Sequence, residues 1–143
     1  MIVQIRELRA DQEILAAFSV MAELRERARP DTFLPEVRRQ QAEGYRLYGG
    51  FVEDRLVTLA GVRRTHTLAR GEHLFVDDLV TASDARGHGH GTAMMQWLAQ
   101  QAADEGIRRI YLDSRDTAGG FYETLGFTFR TSIPCWIDVE KLL

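Results

Sequence analysis

The run Arg86-Gly87-His88-Gly89-His90-Gly91-Thr92 has residue types and spacing that can do chemistry. Its three glycines in five positions remove every Cβ that would hold a ligand away from the backbone. They fall where an apolar, β-branched run, Leu74-Phe75-Val76-Asp77-Asp78-Leu79-Val80-Thr81, gives way to a helical pattern over 91–105 that carries Met94, Leu98 and Ala102. A helix that starts there offers unpaired N–H groups and a partial positive charge. Arg86 adds a fixed cation beside them. The combination describes a seat for a phosphate or pyrophosphate. It is not a P-loop, because the only lysine in the chain is Lys141. It is not a dinucleotide fingerprint either, because Met94 stands where the third glycine belongs.

A second segment lies about thirty residues on: Ala118-Gly119-Gly120-Phe121-Tyr122-Glu123-Thr124-Leu125-Gly126-Phe127. Arg-x-x-Gly-x-Gly followed by Ala-x-x-Phe-Tyr-x-x-x-Gly-Phe resembles the GNAT superfamily of N-acetyltransferases, firmly over 74–127 and by element order elsewhere. The resemblance implies a GNAT-like acyl-CoA N-acyltransferase fold with acetyl-CoA as co-substrate. It implies that Arg86, Gly87, His88, Gly89, His90, Gly91 and Thr92 hold the pyrophosphate, and that backbone groups of Leu79, Val80 and Thr81 pair with the pantetheine arm as a strand would. It places Asp77 as the acid facing the acceptor and Tyr122 beside the departing sulfur. The sequence departs from the family at Arg115, about where many relatives carry an Asn; Asp113, Ser114 and Arg115 are the candidates to replace it.

Acetyl transfer from a thioester needs a free amine lone pair. An alkyl ammonium titrates near ~10.4, so at pH 7 only about one molecule in 2500 is neutral, a cost of roughly 4.6 kcal/mol. A carboxyl group near ~3.9 is a weak base for that proton. Asp77 therefore calls for burial, for a water relay, or for a role that holds the cation. Strand alternation sends Asp78 to the opposite face. The competing role for both aspartates is to cap a turn or pair with a nearby arginine. For Tyr122, full proton transfer from a phenol near ~10 to a thiolate near ~8.5 is uphill by roughly 2 kcal/mol. A hydrogen bond to the developing thiolate is the better description, against membership of an aromatic core with Phe121 and Phe127.

The elements that position these residues follow from pattern and punctuation. A first strand is expected over 2–5. A helix capped by Asp11 carries Ile14, Ala17, Phe18, Met21 and Leu24 on one face. A second helix spans 35–43, with Pro35 at its start and Gly44 after its end. An antiparallel hairpin joins 45–52 to 56–63 through Glu53-Asp54-Arg55. The acid-bearing strand, the long helix, a strand over 109–113, a helix over 117–125 and closing strands over 127–131 and 135–139 complete the order. This is an α/β chain of α+β type: a mixed, mostly antiparallel sheet flanked by helices, with one parallel crossover at the glycine loop.

With 143 residues, a single acetyltransferase domain over 1–143 is expected. A formal net charge of −3 without like-charge blocks argues against nucleic acid as partner. No apolar run approaches the ~18 residues of a membrane span, so a cytoplasmic location is expected. Cys135 is the only cysteine, read as a buried thiol in a reducing compartment. His88 and His90 occupy variable positions of the phosphate loop, and neither paired cysteines nor a third nearby ligand supports metal. The expected activity is N-acetyl transfer by direct attack, from acetyl-CoA to a primary amine of a small molecule or peptide. Met21, Arg25, Arg29, Phe33, Tyr45, Tyr48 and Trp136 are the candidates to shape the acceptor site, and a homodimer is compatible with this reading. The alternative is a non-catalytic CoA-binding sensor or assembly module on the same fold.

Overall fold

The computed structural model describes residues 2–130 and 132–143. Its elements are β1 (Gln4–Glu7), α1 (Asp11–Ala16), α2 (Phe18–Leu24), α3 (Phe33–Ala42), β2 (Tyr45–Val52), β3 (Arg55–Thr67), β4 (Gly71–Thr81), α4 (His90–Asp104), β5 (Ile110–Leu112) and α5 (Gly119–Thr124). Short 3-10 turns lie at Ser83–Ala85, Asp116–Ala118 and Val139–Leu142. Packing gathers the residues into two compact units, one ending at Asp113 and the other Ser114–Leu143.

The first unit holds a five-stranded sheet in the order β1-β2-β3-β4-β5. Every neighbouring pair is antiparallel except β4–β5, which is parallel. The expected crossover is therefore β4–α4–β5, and the glycine loop opens its helix. The β2–β3 hairpin closes tightly at the Val52–Arg55 pair, with Glu53 taking the left-handed φ of 56° that such a turn demands.

Alternation along the strands sends side chains to two helical layers. Leu47, Val57, Leu59 and Val80 join Ile14, Ala17, Met21, Phe33 and Val37 in one core. The next residue of β2, Tyr48, meets Trp97 of α4 edge-to-face at 4.9 Å, beside the buried Met94, Leu98 and Ala102. Burial of each large aliphatic side chain contributes about 1.5–3 kcal/mol, so β3 and β4 are held from both faces. No helix among the described residues is long and apolar enough to cross a membrane.

Several expectations are corrected here. The helix drawn through Ile14 and Leu24 is two short helices that meet at Ala17, although Ile14, Ala17 and Met21 remain buried. Asp11 is the first helical residue rather than the cap, because Glu13 reaches back to the Ala10 N–H at 3.2 Å and supplies the local satisfaction. β1 begins two residues later than expected, at Gln4.

Neither closing strand expected over 127–131 and 135–139 forms among the described residues; Thr131 lies outside them. An alternating apolar pattern becomes a strand only where a neighbour takes its backbone groups. The described residues of the second unit form only α5 and two 3-10 turns, and supply no such neighbour. Phe129, Ile133, Trp136 and Ile137 are exposed, and so is Cys135, against the expectation of a buried thiol.

Candidate active site

β4 carries an irregularity at the acid pair. Gly61 of β3 pairs with Asp78 and the next residue, Val62, pairs with Val76, so Asp77 is an extra residue in β4. A bulge of this kind cancels strict alternation. Asp77 and Asp78, expected on opposite faces, line one cleft of about 530 Å³ between β4 and the α2–α3 segment. That is the size of small-molecule sites.

Each carboxylate has defined partners. Arg63 on β3 donates to both oxygens of Asp77, Nε at 2.6 Å and Nη2 at 2.8 Å. This fork uses one lone pair of each oxygen and leaves the other free to accept. Asp77 keeps 26% of its side chain exposed. Asp78 accepts from Arg25 Nε and from the Tyr45 hydroxyl, each at 2.7 Å. Arg25 also donates from Nη2 to the Asp77 carbonyl at 2.6 Å, which ties the end of α2 to the bulge. Burial, then the Asp78 charge, push the Tyr45 phenol far above its ordinary range, so it stays a donor. The bonds to Arg63 and Arg25 realise the arginine pairing that competes with a chemical role for these aspartates.

The same element shapes the neighbouring backbone. β4 pairs with β5 only from Leu74 to Val76. Beyond the bulge, Leu79, Val80 and Thr81 stay paired with Ala60, Leu59 and Thr58 on the β3 side, and on the other edge have no ladder partner among the described residues. An unpaired edge is what strand-like recognition of an extended ligand requires.

The glycine loop follows. Gly87 and Gly89 sit at φ 82° and 80°, and a Cβ built on either meets nothing within 4 Å. Gly89 caps α4, and it has no side chain to cap the first N–H groups of that helix. Arg86 Nε donates to the Thr81 carbonyl at 3.1 Å, and its Nη2 lies 3.7 Å from Glu23. His90, Gly91 and Thr92 form the first turn. His90 is buried, which pushes its imidazole below its usual value, with His88 adding to the effect; their ring centroids are 5.9 Å apart.

Tyr122 belongs to the second unit. It is buried there on α5 and forms edge-to-face contacts with Phe121 at 5.0 Å and Phe127 at 5.3 Å. Burial raises its phenol above the ordinary value. All three rings of the cluster, Phe121, Tyr122 and Phe127, are fixed positions of the motif.

The sequence reading missed the bulge and the part played by Arg63. One signal for the bulge was present, since an isolated glycine inside a strand pattern marks a bulge or a close backbone approach. Gly61 is that glycine: the Tyr45 hydroxyl lies where its Cβ would be.

A mixed sheet with a parallel β4–α4–β5 crossover, a bulged acid pair and a glycine-opened helix defines the GNAT acyl-CoA N-acyltransferase fold. The solved structure of a transcriptional regulator from Bacillus halodurans is similar, with a TM-score of 0.81 at 22% identity over 96% of this chain and 99% of that one. So is a predicted acetyltransferase with acetyl-CoA from Clostridium acetobutylicum, with a TM-score of 0.72 at 15% identity over 99% and 97%. In sequence the chain is 27% identical over 134 residues to an uncharacterized N-acetyltransferase, YhdJ, of Bacillus subtilis, covering 90% of this chain and 94% of that protein. Residues 4–127 match the model of the acetyltransferase (GNAT) family, and the chain belongs to that family. It is an N-acetyltransferase.

Proposed function

We propose that this enzyme moves an acetyl group from acetyl-CoA directly to a primary amine of a small molecule or peptide, in the cytoplasm and as one acetyltransferase domain. The observation that carries the reading is the junction of the unpaired β4 edge with the start of α4. Backbone groups of Leu79, Val80 and Thr81 accept the pantetheine arm. Arg86 and the 87–92 loop take the pyrophosphate in the space left open over Gly87 and Gly89. The residues present suit that ligand: missing Cβ atoms, first-turn N–H groups and one fixed cation.

The cleft beside the bulge takes the acceptor. The free lone pairs of Asp77 hold the incoming ammonium and take its proton, directly or through water, as the nitrogen attacks the thioester carbonyl. Arg63 keeps the carboxylate oriented. Tyr122 serves as donor to the sulfur as the C–S bond breaks, and a phenol raised by burial stays protonated for that purpose. Cys135, exposed in the second unit, has no part in this direct transfer.

Calorimetric titration of CoA into the parent and Gly89→Leu proteins tests the reading. The left-handed φ and the occupied space should abolish binding in the variant while its circular dichroism stays that of a folded chain. Unchanged CoA affinity would overturn the assignment of the loop. Thiol release from acetyl-CoA across amines, amino acids and peptides identifies the acceptor.

A further inference from the structure

The acceptor cleft is lined by three guanidinium groups, and their donors are unevenly used. Arg63 spends Nε and Nη2 on Asp77, and Arg25 spends Nε on Asp78 and Nη2 on the Asp77 carbonyl. Each therefore keeps an Nη1 without a bond among the described residues. Arg27, in the segment between α2 and α3, lines the same cleft and makes no hydrogen bond or ion pair among the described residues. The strand acids are already paired with Arg63 and Arg25, so among the described residues Arg27 is the arginine of this cleft that has no hydrogen-bond or ion-pair partner. A planar fork of N–H donors in a cleft that two further guanidinium groups line matches a carboxylate or phosphate.

Two features select between those anions. Glu36 and Glu43, on and just after α3, line the cleft and also lack partners among the described residues. Arg25, Arg27 and Arg63 stand against Asp77, Asp78, Glu36 and Glu43, so the lining carries about one net negative charge and disfavours a dianion more than a monoanion. The two glutamates also suit the cationic end of an acceptor that crosses the cleft. A ligand complementary to all these groups carries an ammonium and a single negative charge.

We propose that the acceptor is a small amino carboxylate, its carboxylate received at Arg27 with the free edge of Arg25 and its amine presented to Asp77. This rests on the acceptor reading above and names the substrate class of that cleft.

The test compares matched amines under saturating acetyl-CoA: 4-aminobutyrate and 6-aminohexanoate, the corresponding alkylamines, and 3-aminopropyl phosphate. Amino carboxylates should be acetylated with kcat/KM roughly fivefold above the alkylamines, as fits an exposed charge contact. Arg27→Gln should erase most of that preference by raising KM for the amino carboxylate with little change in kcat. Alkylamines that match or exceed the amino carboxylates would overturn the inference, as would a preference unchanged in R27Q. Faster acetylation of aminopropyl phosphate would overturn the choice of carboxylate. CoA binding with no turnover of any small amine would overturn the small-acceptor class and leave the CoA seat standing. Failure of the parent to bind CoA would instead overturn the proposed function and this inference with it.

Discussion

At Asp77 two uses compete for the same two oxygens. The Arg63 fork fixes the carboxylate in place, and each oxygen retains a lone pair for a substrate proton. If Asp77 removes the proton, Asp77→Asn should depress kcat/KM most at low pH, by roughly 10²-fold, the lower range for general-base catalysis. The loss should shrink as pH rises toward the acceptor's own titration, where solvent has already made the neutral amine. A pH–rate profile with the best acceptor reads this directly. A loss of equal size at every pH would assign Asp77 to holding the cation. Tyr122→Phe isolates the other end of the reaction. Its hydroxyl acts on charge that appears as the thiolate leaves, so kcat should fall about 10²-fold while CoA affinity stays within about twofold. A kcat within twofold of the parent would return Tyr122 to the aromatic cluster of Phe121 and Phe127.

Among the elements, the bulge in β4 has the largest consequence, and it depends on a glycine in the neighbouring strand. Gly61→Ala would put a methyl group where the Tyr45 hydroxyl lies. Tyr45 must then move and its bond to Asp78 must lengthen or break. A cost of about 1–3 kcal/mol is expected from such overpacking, visible as a lower urea midpoint. Acetylation should fall further than CoA binding, because the displaced groups face the acceptor cleft. An unchanged midpoint would mean that Tyr45 is not wedged over Gly61 in solution. The same element shows where the sequence stops being legible. The glycine loop, α4 and the β2–β3 hairpin are written locally, in Gly87 and Gly89, the Met94-Leu98-Ala102 stripe and the Glu53-Asp54 turn. A bulge is a property of two paired strands, so alternation within β4 alone sent Asp78 to the wrong face. The closing strands failed for a related reason, since the apolar pattern around Ile133 and Ile137 says nothing about whether a ladder partner is present. The arginines that hold the acids come from the residue just after α2 and from β3, 53 and 14 residues away from them, and no local spacing announces that.

For the whole molecule, buried titratable groups set the pH range over which the fold is most stable. Tyr45 and Tyr122 both have phenols raised by burial, Tyr45 further through Asp78. An unfolded chain releases its phenolic protons near pH ~10. Above that pH the unfolded state binds fewer protons than the folded one, so stability is full below about 10 and falls as pH climbs. His90 acts at the other end. Burial and His88 hold its imidazole below the usual value, so an unfolded chain takes up a proton near ~6.5 that the folded chain still refuses. Stability should therefore fall as pH drops below about 6.5 and level off once the folded His90 is itself protonated. Urea midpoints from pH 5 to 11 should trace a plateau between these limits. His90→Gln should flatten the acid slope. Tyr45→Phe should lower the plateau, because Asp78 loses a donor, and flatten the alkaline slope, because one retained proton is gone. An alkaline slope equally steep in Y45F would move its origin to Tyr122, whose phenylalanine variant would then have to remove it. Acid sensitivity at His90 also falls on the first turn of α4, where the pyrophosphate is proposed to sit. Bound CoA should therefore draw His90 toward its protonated form and reduce the acid slope, an effect that H90Q should lack.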